Sequence, residues 1–314
     1  MYIEQLAPQV KPLDISRLPA TSEAERDYFR HYGINFEETM DNVTHHFGYL
    51  SCGRFDIVSH YYYVAGSLGT CFLIHGYFDH SGLYKHLIEY CLKRKLSVVI
   101  FDLPGHGLST GEQASIASFQ QYQQVLSEVV DYFQLLASGP FHIMGQSTGG
   151  AIAMDYLLSH PRSIFDKVVL LAPLVRPYHW PLYAKLHRFL KPLCHSLPRR
   201  FKENSADKAF LDFVKNKDPL QSKRLPLSWV GALKQWEKGF HGLSPCQYAP
   251  LIVQGKRDST VDWQYNIPLI TEKFPRAKVC YLAAGEHHLV NEAVELREGV
   301  LAAIDLMFDA VTSH

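Results

Sequence analysis

Residues 141–154 read FHIMGQSTGGAIAM. The apolar run Phe141–Met144 has the length and character of a buried strand, and Gly149-Gly150-Ala151-Ile152-Ala153-Met154 opens a helical segment. Between them, Gly145-Gln146-Ser147-Thr148-Gly149 fits G-x-S-x-G, the pattern of a serine presented on a tight strand-to-helix turn. Such a turn needs small residues two before and two after the serine, because helix and strand pack closely there. A second match, Gly107-Leu108-Ser109-Thr110-Gly111, follows Asp102-Leu103-Pro104-Gly105-His106 and leads into Glu112-Gln113-Ala114. It has no strand directly before it and no helix directly after it, so Ser109 reads as a loop residue and Ser147 as the candidate nucleophile.

Outward from this turn the chain alternates apolar runs with helical patterns. Cys71–Ile74, Ser97–Phe101, Phe141–Met144 and Lys167–Ala172 read as strands; Leu83–Lys95, Ser118–Leu136 and Gly149–Leu158 read as helices. This rhythm predicts an α/β fold with a mostly parallel central sheet and helices on both faces. Ser118 with Gln121 suggests a capping box on the second helix. FGYLSCGRFDIVSHYYYV reads as an antiparallel edge hairpin turning at Ser51–Arg54, with His45-His46 as a loop pair before it. From Pro173 to about Leu243 the strand signal vanishes and short amphipathic helices broken by prolines take over. The rhythm then resumes with Pro250–Gln254, Lys278–Leu282 and a last helix from about Ala293 to Val311. The expected organisation is an N-terminal extension over 1–45 packed on the outside, a core over 46–172 and 244–314, and an inserted helical cap over 173–243.

A serine hydroxyl is a weak nucleophile near neutral pH and needs a base, itself oriented by a carboxylate. On such a sheet these partners follow as acid and then histidine, on loops after later strands. Asp258 stands just past the strand Pro250–Gln254, with Asp262 as a competitor one turn further on. The strand Val279–Leu282 leads into Ala283-Ala284-Gly285-Glu286-His287-His288, and its spacing admits either histidine as the base. Acyl transfer also needs backbone donors for a developing oxyanion. Thr148, after the nucleophile, offers one N–H, and Tyr77, in the loop His75–Gly82 after the strand Cys71–Ile74, offers the other.

The composition fits a globular chain of 314 residues, with 47% hydrophobic and 20% charged residues. Thirty-one basic and thirty-one acidic residues cancel, so no whole-chain field favours nucleic acid as a partner. No apolar stretch reaches membrane-spanning length, and six scattered cysteines without a C-x-x-C pair suit reduced thiols. A cytoplasmic protein is expected. The seventeen histidines show no metal-ligand spacing, so no metal site is expected.

HGYFDHSG, DLPGHGLSTGE, GQSTGGAIAM, LLAPLV, QGKRDSTVD and GEHHLVNE, in that order, resemble the monoacylglycerol lipase and lysophospholipase group of the α/β-hydrolase fold. The likeness runs from about Phe47 to the C-terminus and is weakest in the cap. It implies Ser147 as nucleophile, Asp258 as orienting acid, and the Tyr77 and Thr148 N–H groups as oxyanion hole. For the base, counting back from Glu292 in H-x-L-x-N-E gives His287, while counting forward from Gly285 gives His288; the better match over Leu289–Glu292 selects His287. Gln146 departs from the group by standing where many members carry histidine. The implied function is hydrolysis of a lipid-like small-molecule ester through an acyl-enzyme, a mechanism that calls for no cofactor. A proline iminopeptidase-like peptidase and a small-ester hydrolase or acyltransferase are the alternatives on the same fold. The aromatic cap suggests an acyl-chain tunnel, and its basic first half, with Lys185, Arg188, Lys191, Arg199, Arg200 and Lys202, a weak peripheral membrane contact.

Overall fold

The computed structural model describes residues 3–309. One sheet is built from β1 (Val43–Cys52), β2 (Phe55–Val64), β3 (Thr70–Ile74), β4 (Ser97–Phe101), β5 (Phe141–Gln146), β6 (Phe165–Leu171), β9 (Leu251–Gly255) and β10 (Lys278–Leu282). Their spatial order is β1-β2-β4-β3-β5-β6-β9-β10. The first hairpin is antiparallel and β2 runs antiparallel to β4; every later pairing is parallel.

Every residue of β3, β4 and β9 is buried, because helices cover both faces of the sheet. Alternate side chains enter opposite cores: Phe72, Ile74, Val99, Phe101 and Ile143 join one, and Cys71, Leu73, Val98, Ile100 and Met144 the other. Helices α3 (Phe119–Gln134), α4 (Thr148–Ser159) and α8 (Trp263–Lys273) contribute to the first core; α2 (Lys85–Lys93) and α9 (Val294–Phe308) contribute to the second. From β3 the chain passes to β4 on one side and then to β5 on the other, which opens a crevice at the carboxyl ends of β3 and β5.

Several expectations are corrected. His45 and His46 are not a loop pair; both are buried within β1, where His45 bonds His60 of β2 at 3.0 Å. The Ser118 side chain makes no capping bond, and Gln121 Oε1 accepts from the Ala117 N–H instead. The chain before β1 is more than an outer extension. Helix α1 (Glu23–Tyr32), closed by a capping box of Ser22 with Glu25, buries Tyr28, Phe29 and Tyr32 in the second core. Upstream of it, Lys11–Leu13 lie along the outer strand: Tyr49 N–H donates to Lys11 O and Leu13 N–H donates to Tyr49 O, each at 2.9 Å. Helix α8, with Pro268 in its interior, lies between β9 and β10, where the sequence pattern announces no helix. The end expected for the last helix, Val311, lies outside the described residues.

Between β6 and β9 the chain forms α5 (Trp180–Leu190), α6 (Lys208–Asn216) and α7 (Leu227–Phe240). It is not wholly helical, since β7 (Ser196–Pro198) and β8 (Arg224–Pro226) pair as a short antiparallel ribbon. Among the described residues no helix is long and apolar enough to cross a membrane.

Candidate active site

Strand β5 ends at Gln146, Ser147 takes φ 54° and ψ −113°, and Thr148 begins α4. A positive φ on a side-chain-bearing residue costs roughly 1–3 kcal/mol and persists only where the surroundings impose it. Here they do. A Cβ on Gly145 would overlap the Gly149 carbonyl, and one on Gly149 would overlap the Ile74 carbonyl of β3. The Ser147 N–H is fixed to Leu171 O at 2.8 Å and its carbonyl accepts from the Leu174 N–H at 3.1 Å.

The loops after β9 and β10 bring Asp258 and His287 to this turn. They approach each other closely at Gly255, where a Cβ would collide with the carbonyls of Gly285 and Glu286. His287 Nε2 lies 2.9 Å from Ser147 Oγ, and His287 Nδ1 lies 2.7 Å from Asp258 Oδ2. With Nδ1 donating to the carboxylate, Nε2 is left as an acceptor for the serine hydroxyl. Asp258 Oδ1 accepts from the N–H groups of Thr260 (2.7 Å) and Val261 (3.1 Å), and Oδ2 also accepts from Gln254 Nε2 (3.1 Å). Burial pushes the Asp258 carboxyl up, but the neighbouring imidazole and these donors outweigh it and hold the group below the usual carboxylate range.

The competitors go elsewhere. Asp262 pairs with Arg176 at 2.7 Å. Ser109 Oγ donates to Asp102 O at 2.7 Å and accepts from the Val58 N–H at 2.8 Å, pinning its loop to β2. His288 turns to Asp79, with Nε2 3.2 Å from Oδ1. Its backbone N–H and that of His287 both donate to Asn204 O. Asn291 and Glu292 shape the histidine loop: Asn291 Nδ2 donates to Leu83 O at 2.7 Å, and the buried Glu292 accepts from the N–H groups of Glu286 (2.6 Å) and Ala206 (2.7 Å).

Thr148 is the first residue of α4, so its N–H has no partner within the helix. Tyr77 stands in the loop after β3, its ring stacked on Trp229 of α7 with centroids 3.7 Å apart and its hydroxyl donating to Ala114 O at 2.7 Å. That loop is held from below: Gly76 N–H donates to Tyr84 Oη (2.9 Å), and the Tyr84 hydroxyl donates to Asp79 Oδ2 (3.0 Å). A buried serine–imidazole–carboxylate chain can carry nucleophilic acyl transfer.

Ser147, His287, Gln146 and Tyr77 line a cavity of about 530 Å³. Its apolar wall includes Leu174, Val261, Phe201, Phe210 and Trp229. Three carboxylates also line it, and each has a cationic or imidazole partner: Glu203 with Lys208 (2.7 Å), Asp212 with Lys217 (2.8 Å) and Asp79 with His288 (3.1 Å). Three residues whose contacts the sequence does not foretell complete the site. Gln146 Nε2 donates to His287 O at 2.8 Å, which ties the histidine loop to the turn that carries Ser147. Gln254 braces Asp258, and Arg199, just past β7, lies over the rings of Phe78 and Phe201. In the sequence Gln146 is marked by its place within G-x-S-x-G, Gln254 by its place at the end of a strand and in QGKRDSTVD, and Arg199 by the basic run of the cap.

A family model described as "Serine aminopeptidase, S33" matches residues 66–293. The monoglyceride lipase of Homo sapiens is 35% identical over 249 residues, covering 75% of this chain and 80% of that protein. Among solved structures, a soluble variant of monoglyceride lipase from Saccharomyces cerevisiae aligns with TM-score 0.71 at 15% identity, over 85% of this chain and 95% of that one. The monoacylglycerol lipase of Paleococcus ferrophilus aligns with TM-score 0.65 at 20% identity, over 77% and 96%. The sheet and these likenesses together establish the α/β-hydrolase fold.

Proposed function

The chain belongs to the serine aminopeptidase S33 family of hydrolases and is a serine hydrolase of the esterase and lipase kind, and from that premise we propose that it cleaves a lipid-like carboxylic ester through an acyl-enzyme on Ser147. The observation that carries this reading is the hydrogen-bonded chain Ser147–His287–Asp258 beside a cavity with one apolar wall and a charged remainder. His287 Nε2 takes the serine proton as Oγ attacks the ester carbonyl, and Asp258 stabilises the imidazolium that forms. The N–H groups of Tyr77 and Thr148 receive the oxyanion. The alcohol leaves with the proton from His287, and water, activated by the same imidazole, releases the acid and restores Ser147. None of these steps draws on a cofactor.

The helices and ribbon between β6 and β9 act as a cap whose apolar wall takes the acyl chain. Support comes from Trp229 of α7, which packs on the loop that carries Tyr77. Helix α5 exposes Leu182, Leu186 and Phe189 beside Lys185, Arg188 and Lys191, a pattern that suits weak contact with an anionic lipid surface. Six free thiols suit the reducing cytoplasm. An aminopeptidase would need a free carboxylate to hold the substrate ammonium, and the carboxylates around this cavity are already paired.

Hydrolysis of p-nitrophenyl esters from acetate to palmitate, with monoacylglycerol alongside, tests the reading. Ser147→Ala and His287→Ala are expected to lose on the order of 10⁴-fold or more in kcat, by the behaviour of such triads, while His288→Ala retains turnover. A parent enzyme that cleaves aminoacyl amides but none of these esters would overturn it, and a dead His288→Ala beside an active His287→Ala would move the base.

A further inference from the structure

The cavity holds more positive charge than its own carboxylates neutralise. Arg199, Arg200, Lys202 and Lys215 line it, and none has a carboxylate within 4.0 Å among the described residues. Arg199 is the most constrained of the four. The ribbon of β7 and β8 sets its backbone, with Arg199 N–H donating to Lys223 O at 2.9 Å. Its guanidinium carbon lies 4.0 Å from the centroid of Phe78, next to Tyr77 in the loop after β3, and 4.3 Å from that of Phe201. Nη1 is engaged by Gln221 Oε1 (2.6 Å) and Ser222 O (3.2 Å). Nε and Nη2 have no protein acceptor among the described residues, although a guanidinium offers a two-pronged face suited to an oxyanion.

Burial draws the Arg199 guanidinium down to about 10, against the pull of Asp79, Tyr77 and Asp218, so it stays charged at neutral pH. Gln221 and Ser222 replace part of the hydration this half-buried cation loses, at Nη1 alone, and its nearest carboxylates lie beyond 4.0 Å. Two aromatic faces stabilise it in part.

Resting on the ester-hydrolase reading, we infer that the substrate carries an anionic oxygen group, phosphate or carboxylate, which Arg199 grips while the ester carbonyl meets Ser147. Arg199 thus sets specificity and takes no part in bond making. A neutral ester enters the same cavity and leaves the charge unanswered.

The test compares kcat/KM for octanoyl glycerol with octanoyl glycerol 3-phosphate, both below their aggregation concentrations, and for p-nitrophenyl butyrate with the p-nitrophenyl hemiester of succinate. At least one anionic member is expected to exceed its neutral partner by about 10-fold or more, the gap of one charged hydrogen-bond pair, and the gap narrows with added salt. Arg199→Met brings that ratio to about one; Arg199→Lys, which keeps the charge and loses the fork, retains part of it. Phosphonate labelling of Ser147 in each variant verifies that the site is folded. Preference in the phosphate pair places the anion on the leaving alcohol; preference only in the succinate pair places it on the acyl side. Neutral esters cleaved as fast as anionic ones, or a preference that survives Arg199→Met, overturns the assignment and leaves the esterase reading standing. No turnover of any ester, with no labelling of Ser147, brings down both.

Discussion

Ser147 holds a backbone conformation that its own side chain disfavours, and the glycines around it are what let the fold impose it. Gly149→Ala would drive a methyl into the Ile74 carbonyl, so the turn must open or β3 must shift. We expect a loss of more than about 2 kcal/mol of stability and no phosphonate labelling of Ser147. Thermal unfolding that matches the parent, with labelling intact, would show that the turn is not so tightly set. This residue was legible because its constraint is local: strand, two glycines and helix fall within fourteen consecutive positions. Asp258 was legible for the same reason, standing directly after a strand. Arg199 was not. Its neighbours Phe78 and Gln221 come from distant stretches of chain, and in sequence it is one cation in a basic run.

Among the elements, the loop after β10 depends on a carboxylate that never touches Ser147. Glu292 joins the N–H of Glu286, directly before His287, to the N–H of Ala206 in the segment between β6 and β9. Glu292→Ala removes two charge-assisted bonds at a buried position, with an expected cost of about 2–4 kcal/mol and a fall in kcat larger than any change in KM. Equal kcat with lowered stability would mean that the loop keeps its shape unaided. The spacing of His287 from Glu292 was readable as a pattern, and this pair of bonds is its physical content. Other elements left little trace. The strands β7 and β8 have three residues each, too few for an alternation to register. His45 and His46 broke the apolar period of β1, yet the strand shelters both, because His60 and Glu37 supply polar partners for His45 inside the fold.

Across the whole molecule, three stretches far apart in sequence meet at Asp218. It accepts from the Tyr32 hydroxyl of α1 (2.7 Å), from Gln221 Nε2 (2.9 Å) and from the Leu220 N–H (3.0 Å), and it pairs with His80 of the loop after β3 (3.0 Å). Burial acts against both charges, yet His80 and the hydrogen bonds draw the Asp218 carboxyl down to about 2, and Asp218 lifts the His80 imidazole above its ordinary 6.5. The depressed carboxyl contributes stability that is complete above pH 3.8 and fades as the pH falls towards 2. The raised imidazole contributes stability that is complete below pH 6.5 and fades as the pH climbs through its folded value. The link is therefore tightest from about pH 4 to 6.5, where Asp218→Asn should cost roughly 3 kcal/mol. Denaturant unfolding checks this: the gap to the parent is widest within that window and narrows below pH 4 and above pH 6.5, and a gap independent of pH would remove the ion pair from the account. The strap Lys11–Leu13 has a consequence of another kind. The outer strand of a sheet offers unpaired N–H and C=O groups to any extended chain that drifts past, and residues 11–13 occupy that row at Tyr49. A form of this protein trimmed past Leu13 would keep every group around Ser147 and yet present an open edge to its own copies, so what those few residues protect is the colloidal life of the molecule rather than its chemistry.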